Sequence, residues 1–294
     1  MTEPRAAGTI YDLGYQRYSG TRLGRGYAIK SLLAFSIRTA FGVGRGERSK
    51  FVPVLVGAIV FLPAIVQVGV ASATSQPSFI NYANHLRFTA FLLALFSAAQ
   101  APELIVTDRQ HGALSLYLSR PMSGTDYAIA KWCALVAAML VVTLGPQLVL
   151  FGGKVLLSPT PSVVFEAEYR KLAPIFGGMF ATSCFMASIG LGIGAVSTRR
   201  GYASASVIAF FLLLPAASQI ITTAATGDVK RYAVLANPLL IVNGFALWLF
   251  DIEARRRSPI ARAGLPGEAY LYAIIVVCVI GMTILWLRYR KSEA

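Results

Sequence analysis

Six charged residues interrupt the apolar sequence between residues 102 and 131. In order, they are Glu103, Asp108, Arg109, Arg120, Asp126 and Lys131. Carboxylates and bases in this arrangement can form ion pairs within the chain or across a protein contact. A membrane protein rarely keeps such a segment without a use, and we interpret it as a surface for mechanical contact with another protein.

Catalytic motifs are almost absent from the chain. His85 and His111 have no cysteine or second histidine at metal-ligand spacing, so we predict no metal site. Neither GxxxxGK followed by Ser or Thr nor GxSxG occurs, so a phosphate-binding loop of that type is excluded. We therefore predict that the chain is not an enzyme and that it cannot by itself hydrolyse ATP by that route.

Composition indicates an integral membrane protein. Of 294 residues, 56% are hydrophobic and 14% are charged, with a mean hydropathy of +0.62. The net charge of +14 comes from Lys and Arg clustered at the ends of apolar runs, where anionic headgroups lie. We accordingly expect membrane lipid as a partner and no nucleic acid. The three cysteines fall in separate apolar segments and read as small buried side chains.

Apolar runs of about 20 residues, the length that crosses a bilayer as a helix, define the fold class. We predict an all-α membrane protein with six spans near 52–73, 86–107, 128–151, 174–196, 203–225 and 270–287. Residues 1–50 contain no such run and are expected to form a cytoplasmic arm. Residues 51–294 then form the transmembrane domain, with a cytoplasmic loop at 107–127 and a long external loop at 226–269.

Charge distribution orients these spans. Seventeen of the 27 Lys and Arg residues fall on the side that holds both termini, against ten on the other side. The positive-inside rule then places both termini in the cytoplasm of a multi-pass plasma-membrane protein. An open alternative is a seventh span at 235–250. That run is short and contains Pro238 and Gly244, so we favour a segment that is only partly embedded.

The segment near residues 27–45 has the pattern of an interfacial helix. Apolar residues alternate there with Lys30, Arg38 and Arg45, which predicts an amphipathic helix on the inner membrane surface. A basic anchor with no mechanical role is the alternative.

Polar residues within the spans are candidates for the lining of a pathway. Those we select are Ser97, Gln100, Ser218, Gln219 and Thr222. Hydrogen bonding between helices is the alternative role for such side chains. Gly190 and Gly194, at GxxxG spacing, instead indicate close helix packing.

Residues 101–131 also follow a recognisable order: an acid ending one span, a charged pair, a glycine, a leucine-rich turn, Ser-Arg-Pro and a lysine entering the next span. The positions are Glu103, Asp108, Arg109, Gly112, Leu114, Leu118, Ser119, Arg120, Pro121 and Lys131. This order resembles the second-to-third-span region of bacterial ABC-2 type transporter permeases. The N-terminal GTIYDLGYQRYSGTRLGR is similar to a cytoplasmic arm found in many bacterial members.

The resemblance implies a half-transporter subunit that pairs with a second copy or a related permease. Two ATPase subunits would dock beneath, and ATP and Mg²⁺ would bind to them, leaving this chain with no cofactor. The family mostly exports lipids, polysaccharides, drugs or peptides. The segment from Asp108 to Pro121 would be the coupling helix, and residues 27–45 would form a connecting helix beside it.

The residues themselves agree with such a contact. Leu114, Tyr117 and Leu118 share one helical face at i, i+3 and i+4, which would fit an apolar groove. Arg109 and Arg120 could pair with carboxylates across the interface, and Pro121 would end the helix. Glu103 is expected near the cytoplasmic boundary, paired with Arg109 or another neighbouring base.

The sequence leaves two other functions open. A secondary transporter driven by an ion gradient would need ionisable residues near the bilayer midplane, and the spans contain almost none. An intramembrane enzyme acting on a lipid-linked substrate would need clustered acids or a nucleophile, for which Asp108 alone gives little support. The sequence does not specify the cargo or whether the permeases pair as a homodimer or a heterodimer.

Overall fold

The computed structural model describes residue 20 and residues 23–44, 47–74, 81–118 and 121–290. The side chains of residues 47–49, 115 and 118 are outside that description, and so is most of the predicted N-terminal arm. The described part is all-α, without a β-strand. Its α-helices are α1 Arg25–Ala40, α2 Glu47–Thr74, α3 Tyr82–Gln110, α4 Ala113–Leu118, α5 Gly124–Leu156, α6 Pro161–Glu168, α7 Leu172–Val196, α8 Arg200–Ala224, α9 Gly227–Tyr232, α10 Pro238–Leu249, α11 Pro259–Ala263 and α12 Gly267–Arg290.

Six helical segments in the described ranges are long and apolar enough to cross a membrane, which confirms the predicted number. They are Lys50–Thr74, Tyr82–Gln110, Gly124–Leu156, Pro161–Val196, Arg200–Ala224 and Gly267–Arg290. Several begin or end a few residues outside the predicted apolar cores, because polar and charged residues continue the helices beyond the hydrocarbon region.

Side-chain caps fix where several helices begin. Ser123 accepts a hydrogen bond from the backbone of Asp126, and Asp126 accepts one from the backbone of Ser123, a capping box at the start of α5. Asn81 caps α3, and Asn237 caps α10 just before Pro238. These caps satisfy backbone N–H groups that have no partner within the helix.

The bundle is organised around α3 and α7. In their most apolar windows 78% of residues are buried, against 22% in α2, 17% in α8 and 22% in α12. Glycine permits the closest contacts: a Cβ on Gly281 of α12 would lie 2.5 Å from the backbone oxygen of Ser188 in α7. Gly190 and Gly194 of the GxxxG pair face α3, where a Cβ would meet Ser97 and Ile105.

The apolar segment predicted near 235–250 forms α10, which has twelve residues and extends about 18 Å at 1.5 Å per residue. The helical stretch Gly227–Ala236 precedes it at a 93° bend, as in a broken span or a re-entrant loop. A straight α10 is too short to cross about 30 Å of hydrocarbon. It packs instead against α3 and α12.

Candidate functional site

A sharp turn after α3 places α4 at one end of the bundle. His111 caps the C-terminus of α3, and Gly112 follows with φ +67°, a left-handed conformation that glycine adopts without a steric cost. α4 then runs over six residues before the chain returns through Pro121 to the capping box of α5. Short connections thus join α4 to α3 and to α5.

A buried ion pair joins those two spans beneath α4. Lys131 of α5 places its Nζ 2.6 Å from Oδ2 of Asp108 in α3, and the Tyr127 hydroxyl donates to the same oxygen over 3.0 Å. Lys131 is fully buried, so the proximity of the carboxylate offsets the cost of removing the ammonium group from water. The ends of α3 and α5 are therefore held together electrostatically.

Aromatic rings extend this contact to α4 and α12. The Lys131 ammonium lies 5.9 Å from the ring centre of Tyr117 in α4 and 5.4 Å from that of Tyr127. Tyr127 also packs against Tyr289 near the end of α12, with ring centres 5.0 Å apart. Four helices consequently meet around one lysine.

Arg109 binds the C-terminal end of α7. Its guanidinium donates to the carbonyl oxygens of Ala195 over 2.9 Å, Gly194 over 3.4 Å and Ser197. These carbonyls lack partners within α7, and a positive charge there is favoured by the helix dipole. Within this chain the Arg109 guanidinium therefore contacts the end of α7. The expectation that Arg109 pairs with a carboxylate of another protein stays a prediction.

Arg25 connects α1 to the start of α5. Its guanidinium donates to both carboxylate oxygens of Asp126, each over 2.8 Å. The hydrogen bonds that Arg25 donates to the Asp126 carboxylate raise the pKa of Arg25 above its usual value, so the base stays protonated. α1 packs along α5 and also against α3.

We call the following residues the base cluster: Arg25, Asp108, Arg109, Asp126, Tyr127 and Lys131.

Glu103 pairs with Arg200 at the start of α8, with 2.7 Å between Oε2 and a guanidinium nitrogen. Of the two alternatives from the sequence, Arg109 or another base, this ion pair is formed with another base, Arg200. Both residues line a cavity of about 220 Å³, here called the inner cavity. Gln100 and Ser204 contribute further polar groups to its wall, while Leu95 and Ile208 supply apolar surface.

A second cavity lies at the other end of α8 and is here called the outer cavity. Its volume is about 260 Å³, and its polar lining includes Gln219, Thr222, Thr223, Lys230 and Arg262. The inner and outer cavities therefore both use residues of α8, near its beginning and near its end.

Two of the predicted pathway residues serve in helix packing instead. Ser97 donates to the Met186 carbonyl over 2.8 Å, and Ser218 donates to that of Ala233 over 2.8 Å. Both serines are buried, and neither lines the inner or the outer cavity. Their hydroxyl groups thus join neighbouring elements, the alternative role considered from the sequence.

Comparison with known families decides the class of this protein. The family model described as ABC-2 family transporter protein matches residues 21–291, nearly the whole chain. The chain belongs to the ABC-2 transporter family. A search of curated proteins found no match. The protein is accordingly a multi-pass membrane permease component of an ABC-type transporter.

In this ABC-2 permease, α4 uses part of its predicted docking face internally. Leu114 and Tyr117 are half-buried and pack against the core, whereas Leu116 is 70% exposed. The side chain of Leu118 and all of Arg120 lie outside the described residues. Pro121 is exposed on the return to α5 and follows α4 by three residues.

Two ion-pair partners were missed by sequence reasoning. Arg25 lies 101 residues from Asp126, and Arg200 lies 97 residues after Glu103, so no local pattern connects either pair. One signal was available: Ser123 followed three residues later by Asp126 is a capping signature, which marks the start of α5 in this permease. The role of Asp126 in capping α5 could therefore have been predicted from the sequence.

Proposed function

We propose that this permease is the membrane subunit of an ATP-driven exporter, and that a separate ATPase subunit docks on α4. ATP and Mg²⁺ would be bound by that ATPase. The observation that carries the proposal is the position of α4 on the base cluster, which links it to α3, α5, α7 and α12. Displacement of α4 would therefore be transmitted to several spans at once.

The side chains of α4 suit this role. Leu114 and Tyr117 anchor the helix to the core, so α4 resists movement independent of the bundle. Leu116 presents an exposed apolar surface of the kind that fills a groove on a partner protein. We accordingly propose Leu116 for the docking role that was predicted for the face of Leu114, Tyr117 and Leu118.

We further propose that both termini and α4 face the cytoplasm of the plasma membrane. The excess of Lys and Arg on that side of the predicted spans supports this orientation. An ATPase that uses cytoplasmic ATP would then reach α4 directly.

The translocation pathway is proposed to follow α8 and to be completed by a second permease, either an identical copy or a paralogue. α2 and α8 are largely unburied within one chain, so a partner could cover them. The inner cavity would receive cargo, and the outer cavity would release it. Their mixed polar and apolar walls suit an apolar or amphipathic molecule.

Leu116→Asp tests the docking role. A carboxylate at this position would have to be desolvated in an apolar groove, so we expect the ATPase to be lost on co-purification and its stimulation by the permease to fall at least about tenfold. Insertion of the variant would be checked by its yield in the membrane fraction.

Leu156→Asp is the matched control, because Leu156 is 78% exposed at the opposite end of α5. We expect that variant to keep the ATPase bound. Wild-type recovery of the ATPase with Leu116→Asp would refute docking through this residue.

A further inference from the structure

A cavity lined by arginines lies at the end of the bundle opposite α4. Its volume is about 450 Å³, roughly twice that of the inner cavity. It is formed where the start of α3 meets α10 and the segment that leads into α11. α3 begins at Tyr82 and reaches α4 only after Gln110, so about 40 Å of helix separates this cavity from the proposed ATPase contact.

The lining of the cavity carries a net positive charge. Arg87, Arg255 and Arg257 line it, with Glu253 as the acidic residue, which leaves a net charge of +2. Arg255 and Arg257 form no ion pair within the described ranges. Arg87 lies beside the ring of Phe88, 5.7 Å from its centre, a contact that leaves the guanidinium donors available.

The remaining lining separates into polar and apolar parts. Asn84 and Asn243 contribute side-chain amides that make no hydrogen bond to another described residue. Leu240, Leu247 and Ile260 form an apolar wall. The cavity thus combines cationic donors, groups that can bind hydroxyls and a surface for hydrocarbon.

We propose that this arginine cavity binds a phosphate-bearing headgroup. Arginine presents a planar set of donors that matches the oxygens of phosphate, and three such groups around one space exceed the need of a single carboxylate. Asn84, Asn243 and Glu253 would bind hydroxyls of the headgroup. The apolar wall would accommodate the start of an acyl chain, which favours a phospholipid over a free anion.

Binding of radiolabelled dioctanoyl phosphatidylglycerol to the purified full chain in a neutral maltoside detergent tests this proposal. Dioctanoylglycerol, which lacks the phosphate, serves as the comparison ligand. We expect the phospholipid to bind at least about tenfold more tightly, because hydrogen bonds to a charged group are added. Equal binding of the two ligands would overturn the proposal.

Three neighbouring arginines supply matched variants. Arg255→Gln and Arg257→Gln each remove a cavity-lining charge, whereas Arg256→Gln removes an exposed charge that does not line it. We expect the first two to weaken phospholipid binding about tenfold and the third by less than about twofold. An equal effect of Arg256→Gln would show diffuse surface attraction and contradict a built site.

Competition by soluble anions identifies the source of the phosphate. If glycerol phosphate and inorganic phosphate displace the phospholipid at similar concentrations, the cavity recognises phosphate itself and a free anion can fill it. If neither displaces the lipid, the headgroup and its acyl chain are recognised together. Both results support the site, which does not depend on docking of an ATPase at α4.

Discussion

Lys131 carries a positive charge into the interior of the helix bundle, and Asp108 makes that position tolerable. The sequence placed both residues in a charged segment and assigned Asp108 to an interface with another protein. Their pairing depends on how α3 and α5 lie against each other, which no spacing within residues 102–131 specifies. The same holds for Glu103, whose partner Arg200 belongs to a distant helix.

Replacing Lys131 tests the strength of the base cluster. Lys131→Met leaves Asp108 without its cation in a buried site, and we expect a loss of about 3 to 5 kcal/mol in the free energy of unfolding. The midpoint of thermal unfolding of the purified chain would fall accordingly. In the double variant Asp108→Leu with Lys131→Met, much of that loss should be recovered, because no buried charge of the pair remains.

Lys154→Met is the comparison for this prediction. Lys154 also forms an ion pair, 2.7 Å from Glu168, but Lys171 remains 2.9 Å from the same carboxylate. Loss of the Lys154 ammonium group should therefore lower the free energy of unfolding by less than loss of the Lys131 ammonium group. The assignment would be wrong if Lys154→Met lowered the unfolding midpoint as much as Lys131→Met does.

Whole membrane-spanning helices were easier to predict from the sequence than the residues that form ion pairs between them. Six apolar runs specified six spans, since a backbone in hydrocarbon must satisfy its own hydrogen bonds. The orientation of α4 was harder to predict, because a helix of six residues is too short for an apolar stripe that would define its buried face. Its packing on the core decides that Leu114 turns inward while Leu116 is exposed.

The approach of α12 to α7 is expected to depend on Gly281. Gly281→Ala would bring a Cβ to within 2.5 Å of the Ser188 backbone oxygen, and backbone cannot move aside as a side chain can. We expect a loss of about 1 to 3 kcal/mol in the free energy of unfolding. Thermal unfolding in detergent measures it.

Gly177→Ala in α7 provides the control, because nothing lies within 4 Å of the Cβ that it would add. That variant should be neutral or slightly stabilising, since alanine favours helix more than glycine does. A Gly281→Ala variant as stable as Gly177→Ala would contradict the close packing.

The two ends of the helix bundle carry different structural features. One end carries α4 on the base cluster, and the other carries the arginine cavity and the bent α9 to α10 segment. The broad exposure of α2 and α8 is consistent with a second permease along their length. Composition and charge predicted an integral membrane protein, and the order of residues 101–131 indicated its resemblance to ABC-2 permeases. The cavities could not be predicted in this way, because only the packed helices form them.

Docking of an ATPase subunit on α4 is the contact that we propose for energy coupling. A photo-crosslinking amino acid at position 116, introduced into the complete transporter in membranes, tests it directly. We predict an ultraviolet-dependent crosslink between the permease and the ATPase from position 116, and none from position 156 at the far end of α5. A crosslink to the ATPase from position 156, or none from position 116 in an intact complex, would show that the ATPase does not dock on α4 as proposed.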